Sequence, residues 1–451
     1  MERLFKIKKG LDLKLVGEAP QTNVREAAPG KEYAVCPSDF HGVQPKLVVK
    51  EGDQVLAGSP LFVDKATESV RFVAPVSGRV VAIERGERRK LLCIRIAADN
   101  AQVAKDFGVV DLNKANAESI QKLLLESGLF AMLRQRPYDV VPSPQVAPKA
   151  IFISAFSKMP LAANFAFTVQ GQEDDFKNGV KALTKIAKVH VGISPEQINT
   201  GILPLEEAEV SVFSGPNPAG NVSVHINHVD PVNKGEVVWT MAPEDVIIIG
   251  RLLRTGKVDM TRTIAVAGSE VKEPCYIKTK VGAALSDILN GQLETTEHKR
   301  IINGNPLVGC KSDINGFLGA HTSEVCVLPE GDDVNELFGW IAPRLKEFST
   351  SRSYFSWLMG KQHPYAPDCR IKGGERHMIM SGEYDRVFPM DIYAGYLVKA
   401  IICGDIDRQE ALGIYEVAPE DFALPEFVDS SKLELQRIVR EGLEILRKEN
   451  A

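Results

Sequence analysis

The feature that most constrains this chain is a series of short β-branched segments joined by turn residues between Pro45 and Ile83. The turns at Gly52-Asp53, Gly58–Pro60 and Ala74–Gly78 contain glycine or proline, which tight turns need where φ is positive or fixed. Short strands separated by such turns predict a small β module with two layers. The N-terminal part of the chain is therefore expected to be an all-β unit.

A lysine in this module raises the question of a covalently attached cofactor. The turns and the triplet Asp64-Lys65-Ala66 resemble the barrel-sandwich hybrid of lipoyl and biotinyl carrier domains, whose cofactor is attached to such a lysine. A carrier lysine lies at the tip of a tight hairpin, where its modifying enzyme reaches it. Lys65 precedes Pro75 by ten residues, a longer interval than in lipoyl domains, which moves it off the tip. We expect a structural barrel without a bound cofactor, and a lipoyl- or biotinyl-type carrier is the alternative.

Changes in hydrophobic periodicity divide the chain into four regions. Residues 1–100 are the β module, and residues 101–256 alternate strand and helix patterns, which predicts a Rossmann-like α/β sandwich with a partly parallel sheet. Residues 257–330 contain a strand, a short helix and returning strands, as in a β-grasp module of the SLBB type. Residues 331–451 are expected to be mainly helical and to end in an amphipathic helix over 432–448. The predicted fold class is a multidomain α/β and β protein.

Local signals predict individual elements of the second region. Ala150–Ser154 is a short apolar run that predicts a strand, and Pro243 and Gly256 delimit a predicted helix. The segment 221–229 alternates in a way that predicts a strand. On a strand His225 and His228 point to opposite faces, so a shared metal site is not expected there.

Charge, hydropathy and cysteine spacing exclude several classes of function. The net charge is −5, from 54 basic and 59 acidic residues, and gives no reason to expect nucleic-acid binding. No apolar run approaches the roughly 18–20 residues of a membrane-spanning helix. The first residues lack the apolar stretch of a secretory signal. The seven cysteines are scattered without the spacing of a zinc, redox or iron–sulfur motif. No catalytic or metal-binding residue is predicted.

The segment 123–142 is the strongest candidate for a binding site. A helix is expected to end at Ser127-Gly128 and to lead into an arginine-rich loop. Flavin-binding proteins of this architecture have a run of glycines here, whose N–H groups approach the flavin phosphate. Side chains occupy that space in this chain, so FMN and NADH binding are not expected. The candidate pocket residues for a flat ligand with a polar head, such as a quinone, are Phe130, Leu133, Arg134, Arg136 and Tyr138. The alternative is a set of surface arginines beside a packed helix end.

Short motifs along the chain, taken in order, resemble one family: the A subunits of the Na+-translocating NADH:quinone reductases of respiring bacteria. The resemblance spans nearly the whole length. The motifs are Glu51-Gly52-Asp53, Ala74–Gly78, Ser127–Leu129, Arg134–Pro137, His225–Asn233, Gly250–Leu252, Thr255-Gly256, Gly339–Pro343, Gly373–Arg376, Gly404-Asp405 and Ala411–Gly413.

The resemblance implies a hydrophilic subunit, peripheral on the cytoplasmic side of the bacterial inner membrane. The six-subunit complex would pass electrons from NADH to ubiquinone or menaquinone and export Na+, with the other subunits as partners. The implied fold is similar to that of the NADH- and FMN-binding subunit of complex I and of the Rnf complex C subunit, but without FMN or an iron–sulfur cluster. The chain alone is not expected to be catalytic. The alternative from the enzyme class is a stand-alone flavin NADH dehydrogenase.

Overall fold

The computed structural model describes residues 3–334, 341, 343–350, 352–360, 362–379 and 381–450. Within these ranges the chain forms four β-sheets and a set of helices packed around them. Gly339, Trp340 and Ala342 of the family motif lie outside the described residues.

The N-terminal module is a pair of facing sheets, which confirms the predicted barrel-sandwich hybrid. The strands of this part of the chain are β1 (Arg3–Lys6), β2 (Val24–Glu26), β3 (Glu32–Val35), β4 (Pro45–Leu47), β5 (Gln54–Val55), β6 (Pro60–Asp64), β7 (Arg71–Val73), β8 (Gly78–Arg85) and β9 (Leu91–Ala98). One sheet has the order β3-β9-β8-β5 and the other β4-β6-β7. Phe62 and Phe72 stack with ring centroids 4.4 Å apart inside the module. Gly52 and Gly58 have φ of +94° and +88°, as their turns require.

The second region is built on a six-stranded sheet with the order β1-β13-β12-β11-β14-β10. Its elements are α1 (Ala117–Ser127), β10 (Arg134–Arg136), β11 (Ala150–Ser154), α2 (Phe165–Thr168), α3 (Glu173–Thr184), β12 (Lys188–Ile193), β13 (Glu209–Ser214), α4 (Val222–Val229), β14 (Val238–Met241) and α5 (Pro243–Thr255). All neighbours in this sheet pair in parallel except β10, which is antiparallel to β14. The predicted partly parallel sheet is therefore confirmed. Gly256 ends α5 with φ of +70°, which confirms that predicted helix end.

The segment predicted as a strand over 221–229 is instead the helix α4, so that prediction was wrong. Apolar and polar residues alternate over 221–229, which is also the pattern of a half-buried strand. Since β13 and β14 run parallel within one sheet, the chain must cross over between them, and a helix makes such crossovers. Tertiary topology therefore overrides the local pattern here.

The third region has the predicted strand, short helix and returning strands. Its elements are β15 (Thr261–Ala267), β16 (Cys275–Lys280), α6 (Leu285–Ile288), β17 (Lys299–Asn303), β18 (Cys310–Ser312) and β19 (Glu324–Pro329). They form a sheet with the order β18-β17-β19-β15-β16-β2. The strands β1 and β2 thus leave the N-terminal module, because β1 pairs with β13 and β2 with β16.

The C-terminal helices cover one face of the α/β sheet. They are α7 (Ala394–Ile402), α8 (Ile406–Ala411), α9 (Ala423–Val428) and α10 (Leu435–Glu449). Along β11, Ala150 and Phe152 belong to the core shared with α7 and α10, whereas Ile151 and Ile153 belong to the core shared with α3 and α5. This period of two is what a strand buried on both faces produces. The predicted amphipathic C-terminal helix therefore completes the sandwich. None of the helices in the described ranges has the length and apolarity that crossing a bilayer requires.

Candidate functional site

A cavity of about 470 Å³ lies where all four regions meet. It opens at the carboxyl ends of β11 and β14 and at the start of α5, the edge where parallel α/β sheets commonly bind ligands. Lining residues from the N-terminal module are Ser38, Asp39 and His41; from the α/β region Arg134, Ser154, Phe156, Phe165 and Glu244; from the third region Asn303, His321 and Glu324; and from the C-terminal region Glu420 and Arg440.

The charged floor of the cavity is organised around the buried carboxylate of Asp139. Arg136 donates to it at 2.5 Å, Arg440 binds its other oxygen, and Arg134 lies 4.0 Å away. Burial by itself would raise the pKa of Asp139, but the three guanidinium groups hold that pKa well below its usual range. Arg134 and Arg136 share one side of β10 because strand residues two apart point the same way. Arg134 is the one whose side chain, 34% exposed, borders the cavity.

Two carboxyl groups on the cavity wall titrate close to neutrality. Burial raises the pKa of Asp39 to about 6, although Asp39 accepts a hydrogen bond of 2.8 Å from the N–H of Ala320. Burial likewise raises the pKa of Glu244, in the first turn of α5, to about 7. The pKa of Glu324 is also raised by burial. The wall can therefore hold and release protons near pH 7.

The two histidines of the cavity are held neutral. Burial lowers the pKa of His41 to about 4, and the guanidinium of Arg440 acts in the same direction. Burial also lowers the pKa of His321, whose Nδ1 lies 3.7 Å from Asp245. Neither imidazole adds positive charge at neutral pH, so Arg134 and Arg440 are the fixed cations among these lining residues.

The structure separates the five residues predicted for a quinone pocket. Arg134 borders the cavity and Arg136, 1% exposed, lies beneath it. Phe130 and Leu133 have no exposed surface, and Phe130 packs edge-on against Trp239 with centroids 5.4 Å apart. Tyr138 lies against the C-terminal helix, where its hydroxyl accepts a 3.3 Å hydrogen bond from Asn450. Of these five predicted residues, Arg134 borders the cavity and Arg136 lies beneath its floor, whereas the other three contact the core or the C-terminal helix.

Five residues that line the cavity were not predicted from the sequence: Asp39, Asp139, Glu244, His321 and Arg440. Asp139 lies three residues after Arg136, and Glu244 lies in the first turn of the predicted helix α5. The position of Glu244 could have been recognised from the sequence, because a helix that starts after a parallel strand begins at the ligand-binding edge of the sheet. Glu244 was not predicted as a site residue because the strand before it, β14, was not predicted. No local sequence pattern identifies Arg440 as a site residue, because Arg440 reaches the cavity only through the packing of α10.

Other residues noted in the sequence have separate surroundings. Lys65 is exposed in the connection between β6 and β7, ahead of the turn at residues 68 and 69. His225 stacks on Phe213 at 3.9 Å and its Nε2 lies 2.9 Å from the Ala219 carbonyl oxygen. His228 Nδ1 lies 2.8 Å from the carbonyl oxygen of Val224. Both imidazoles therefore have partners of their own.

Groups of potential metal ligands are scarce in the part of the chain that the structure describes. The one set of three or more neighbouring candidates there consists of His298, Asp332 and Asp333, all exposed. It contains no cysteine and lies outside the lining of the cavity.

Three family models match consecutive parts of the chain. Residues 5–99 match the NqrA N-terminal barrel-sandwich hybrid domain, residues 115–258 the NqrA second alpha/beta domain, and residues 263–313 the NQRA C-terminal domain. These matches agree with the folds of the first three regions.

Curated relatives match over the full length. The A subunit of the Na+-translocating NADH-quinone reductase of Photorhabdus laumondii subsp. laumondii is 38% identical over 454 residues, which cover 99% of this chain and 100% of the relative. Proteins of the same name are 37% identical in Yersinia pestis bv. Antiqua and 36% identical in Neisseria meningitidis serogroup B, with the same coverage of both chains. This chain therefore belongs to the NqrA family, the A subunits of the Na+-translocating NADH-quinone reductases.

Proposed function

We propose that this chain takes part, as the A subunit, in electron transfer from NADH to quinone coupled to Na+ export. Its partners are the other subunits of that reductase, and it lies peripherally on the cytoplasmic side of the bacterial inner membrane. Similarity over the whole chain to proteins named for this reductase supports the assignment. The redox cofactors belong to the partners, since segment 129–133 packs side chains where flavin-binding relatives of this architecture have glycines.

We further propose that the cavity beside Arg134 receives the head of a quinone. The observation that carries this proposal is that one cavity holds a cation, Arg134, together with Asp39 and Glu244, whose pKa values are about 6 and about 7. Reduction of a quinone to a quinol takes up two electrons and two protons. A guanidinium stabilises the negative charge that develops on a carbonyl oxygen, and carboxyl groups that titrate near neutrality supply protons.

Part of the cavity wall is formed by apolar side chains that suit a flat ring. Phe156 and Phe165 line the cavity and are 9% and 2% exposed, so they present fixed apolar surface beside the charged groups. Pro243 lies at the same edge, at the start of α5. These apolar side chains lie within a lining that is otherwise largely polar, so a ring would pack against them while its oxygens meet the polar groups.

Photo-crosslinking of the assembled complex with a photoreactive quinone analogue tests this proposal. We expect labelled peptides that contain residues 38–41, 130–139 or 242–244, and we expect excess quinone to suppress the label. In the Arg134→Gln variant the label should fall, whereas Arg88→Gln, a change at an exposed arginine, should leave it unchanged. Labels found in other subunits alone would overturn the quinone site in this chain and leave it a role in assembly.

A further inference from the structure

Two cysteines of the N-terminal module lie directly opposite each other on neighbouring strands. The strands β3 and β9 pair antiparallel, with Val35 opposite Ile94. Cys36 follows with an extended backbone, φ −104° and ψ 117°, so the register continues and places it opposite Cys93. Directly opposite residues have their side chains on the same face of the sheet.

The hydrogen bonds of this pair of strands show which kind of cross-strand position the cysteines occupy. Ala98 N–H donates to Lys31 O at 2.9 Å, which makes that couple a hydrogen-bonded pair. Closer to the cysteines, Ala34 N–H turns away from β9 and donates to Gly282 O at 2.8 Å. Such positions alternate along an antiparallel ladder, so Cys36 and Cys93 form a non-hydrogen-bonded pair.

That position matches the geometry of a disulfide. The Cα atoms of a non-hydrogen-bonded pair lie about 4.5 Å apart, and disulfides join Cα atoms about 4.4–6.8 Å apart. The register places both side chains on one face of the sheet, so the two sulfur atoms are neighbours. Both cysteines are free thiols in this structure.

The surroundings give the two thiols different roles. Cys36 is partly exposed, whereas Cys93 is 6% exposed and donates from Sγ to Glu84 Oε2 at 3.4 Å. The neighbouring thiol of Cys93 and burial raise the pKa of Cys36, which slows attack by its thiolate at neutral pH. Because Cys36 is the more exposed of the two, an oxidant reaches it first. Cys93 lies behind it as the resolving thiol.

We propose that Cys36 and Cys93 are a redox-sensitive pair that closes to a cross-strand disulfide when a small disulfide oxidises it. The sulfur of Cys36 attacks oxidised glutathione, forms a mixed disulfide and releases one glutathione thiol. Cys93 then displaces the second glutathione from Cys36, and the proton of Cys93 passes to Glu84 or solvent. The two cysteine thiols lose two electrons and two protons in total, and the oxidant gains both as two glutathione thiols.

The disulfide would act on the cavity through the chain that follows Cys36. Residues 37–39 form a short 3-10 turn, and Ser38, Asp39 and His41 line the cavity. A bond between Cys36 and Cys93 anchors the start of this turn covalently to β9, an inner strand of the four-stranded sheet. The redox state of the pair therefore sets how firmly one wall of the cavity is held.

Mass spectrometry of the full chain tests the proposal. The reduced, folded protein is incubated with oxidised glutathione, its remaining thiols are alkylated with N-ethylmaleimide, and its peptides are mapped. We expect a linked peptide pair joining Cys36 to Cys93, formed faster at higher pH. The exposed Cys310 and Cys403 should carry glutathione or the alkylating group without being linked to each other.

Two variants separate the steps. In C93S the resolving thiol is missing, so Cys36 should keep its glutathione; in C36S the buried Cys93 should stay unmodified. Recovery of both Cys36 and Cys93 as free thiols in the wild-type protein, while Cys310 and Cys403 take up glutathione, would overturn the proposal. So would links from Cys36 to a different cysteine. The wild-type result decides the matter even if a variant fails to fold.

Discussion

Arg440, on the C-terminal helix α10, binds the carboxylate of Asp139, which lies 301 residues earlier in the chain. Arg440 also donates to the backbone carbonyls of Tyr138 and Asp139, each at 3.1 Å. Tyr138 and Asp139 have φ of +82° and +52°, a conformation that side chains other than glycine seldom adopt. Arg440 thus holds both the charge and the backbone of the cavity floor, and the C-terminal region is part of the site.

Replacement of Arg440 should destabilise the protein substantially. Arg440→Met leaves the buried Asp139 with one guanidinium fewer, and breaking a buried ion pair costs about 3 kcal/mol. The free energy of unfolding, measured by chemical denaturation, should fall by that amount. Arg437→Met is the matched control on the same helix, because Arg437 is 60% exposed and pairs with surface glutamates. The control should change stability by less than about 1 kcal/mol. Equal losses in the two variants would contradict the role assigned to Arg440.

A glycine at the contact between α3 and α5 should not tolerate a methyl group. A Cβ atom at Gly250 would lie 1.7 Å from the carbonyl oxygen of Asp175, so Gly250→Ala forces the two helices apart. We expect a loss of about 3 kcal/mol in the free energy of unfolding. Gly374→Ala serves as the control, since a Cβ there has open space around it. A Gly250→Ala protein as stable as this control would show that the helices do not pack this closely.

Glu244 should make stability depend on pH near neutrality. Its pKa in the folded protein is about 7, against about 4.3 for an unfolded glutamate. Between these values the folded state holds more protons, so stability falls as pH rises through that window. Glu244→Gln removes this loss and should gain about 1–2 kcal/mol over wild type between pH 4 and pH 8, because its side chain keeps some solvent contact.

The measurement for Glu244 is chemical denaturation of wild type and variant at several pH values. Glu196→Gln, at an exposed carboxylate, is the control and should run parallel to wild type. If the Glu244→Gln and wild-type curves were also parallel, the carboxyl group of Glu244 would not be titrating in this range.

Arg134 should matter more for quinone than for folding. In the assembled complex Arg134→Gln is expected to raise the KM for quinone about tenfold or more, since a hydrogen bond to a charged group contributes about 1.5–3 kcal/mol. Steady-state quinone reduction at varied quinone concentration measures this. Arg134 is 34% exposed and lies 4.0 Å from Asp139, so Arg134→Gln should lower the thermal stability of the isolated chain less than Arg440→Met does. An unchanged KM would argue against quinone in this cavity.

The purified native chain should be colourless, and its intact mass should equal that of the unmodified sequence. Flavin absorbance bands would support the stand-alone dehydrogenase instead. A mass increase mapped to Lys65 would support the carrier alternative, since that lysine is exposed and accessible to a modifying enzyme.

Elements with strong local signals could be predicted without the structure. Ala150–Ser154 and the helix from Pro243 to Thr255 were predicted correctly because an apolar run or a proline and glycine at the ends marks them. The turns at Gly52 and Gly58 followed from their composition in the same way. The segment 221–229 could not be predicted, since its alternating pattern suits a strand and only the crossover between β13 and β14 requires a helix.

The sequence by itself determined the family, the all-β N-terminal module, the partly parallel sheet and the candidacy of Arg134 as a binding residue. These depend on residue order, turn chemistry and periodicity, all of which are local. Only the tertiary structure decided that Asp39, Glu244 and Arg440 surround one cavity and that Phe130 lies in the core. The physical reason is that long-range packing brings these side chains together across hundreds of residues, and no local pattern carries that information.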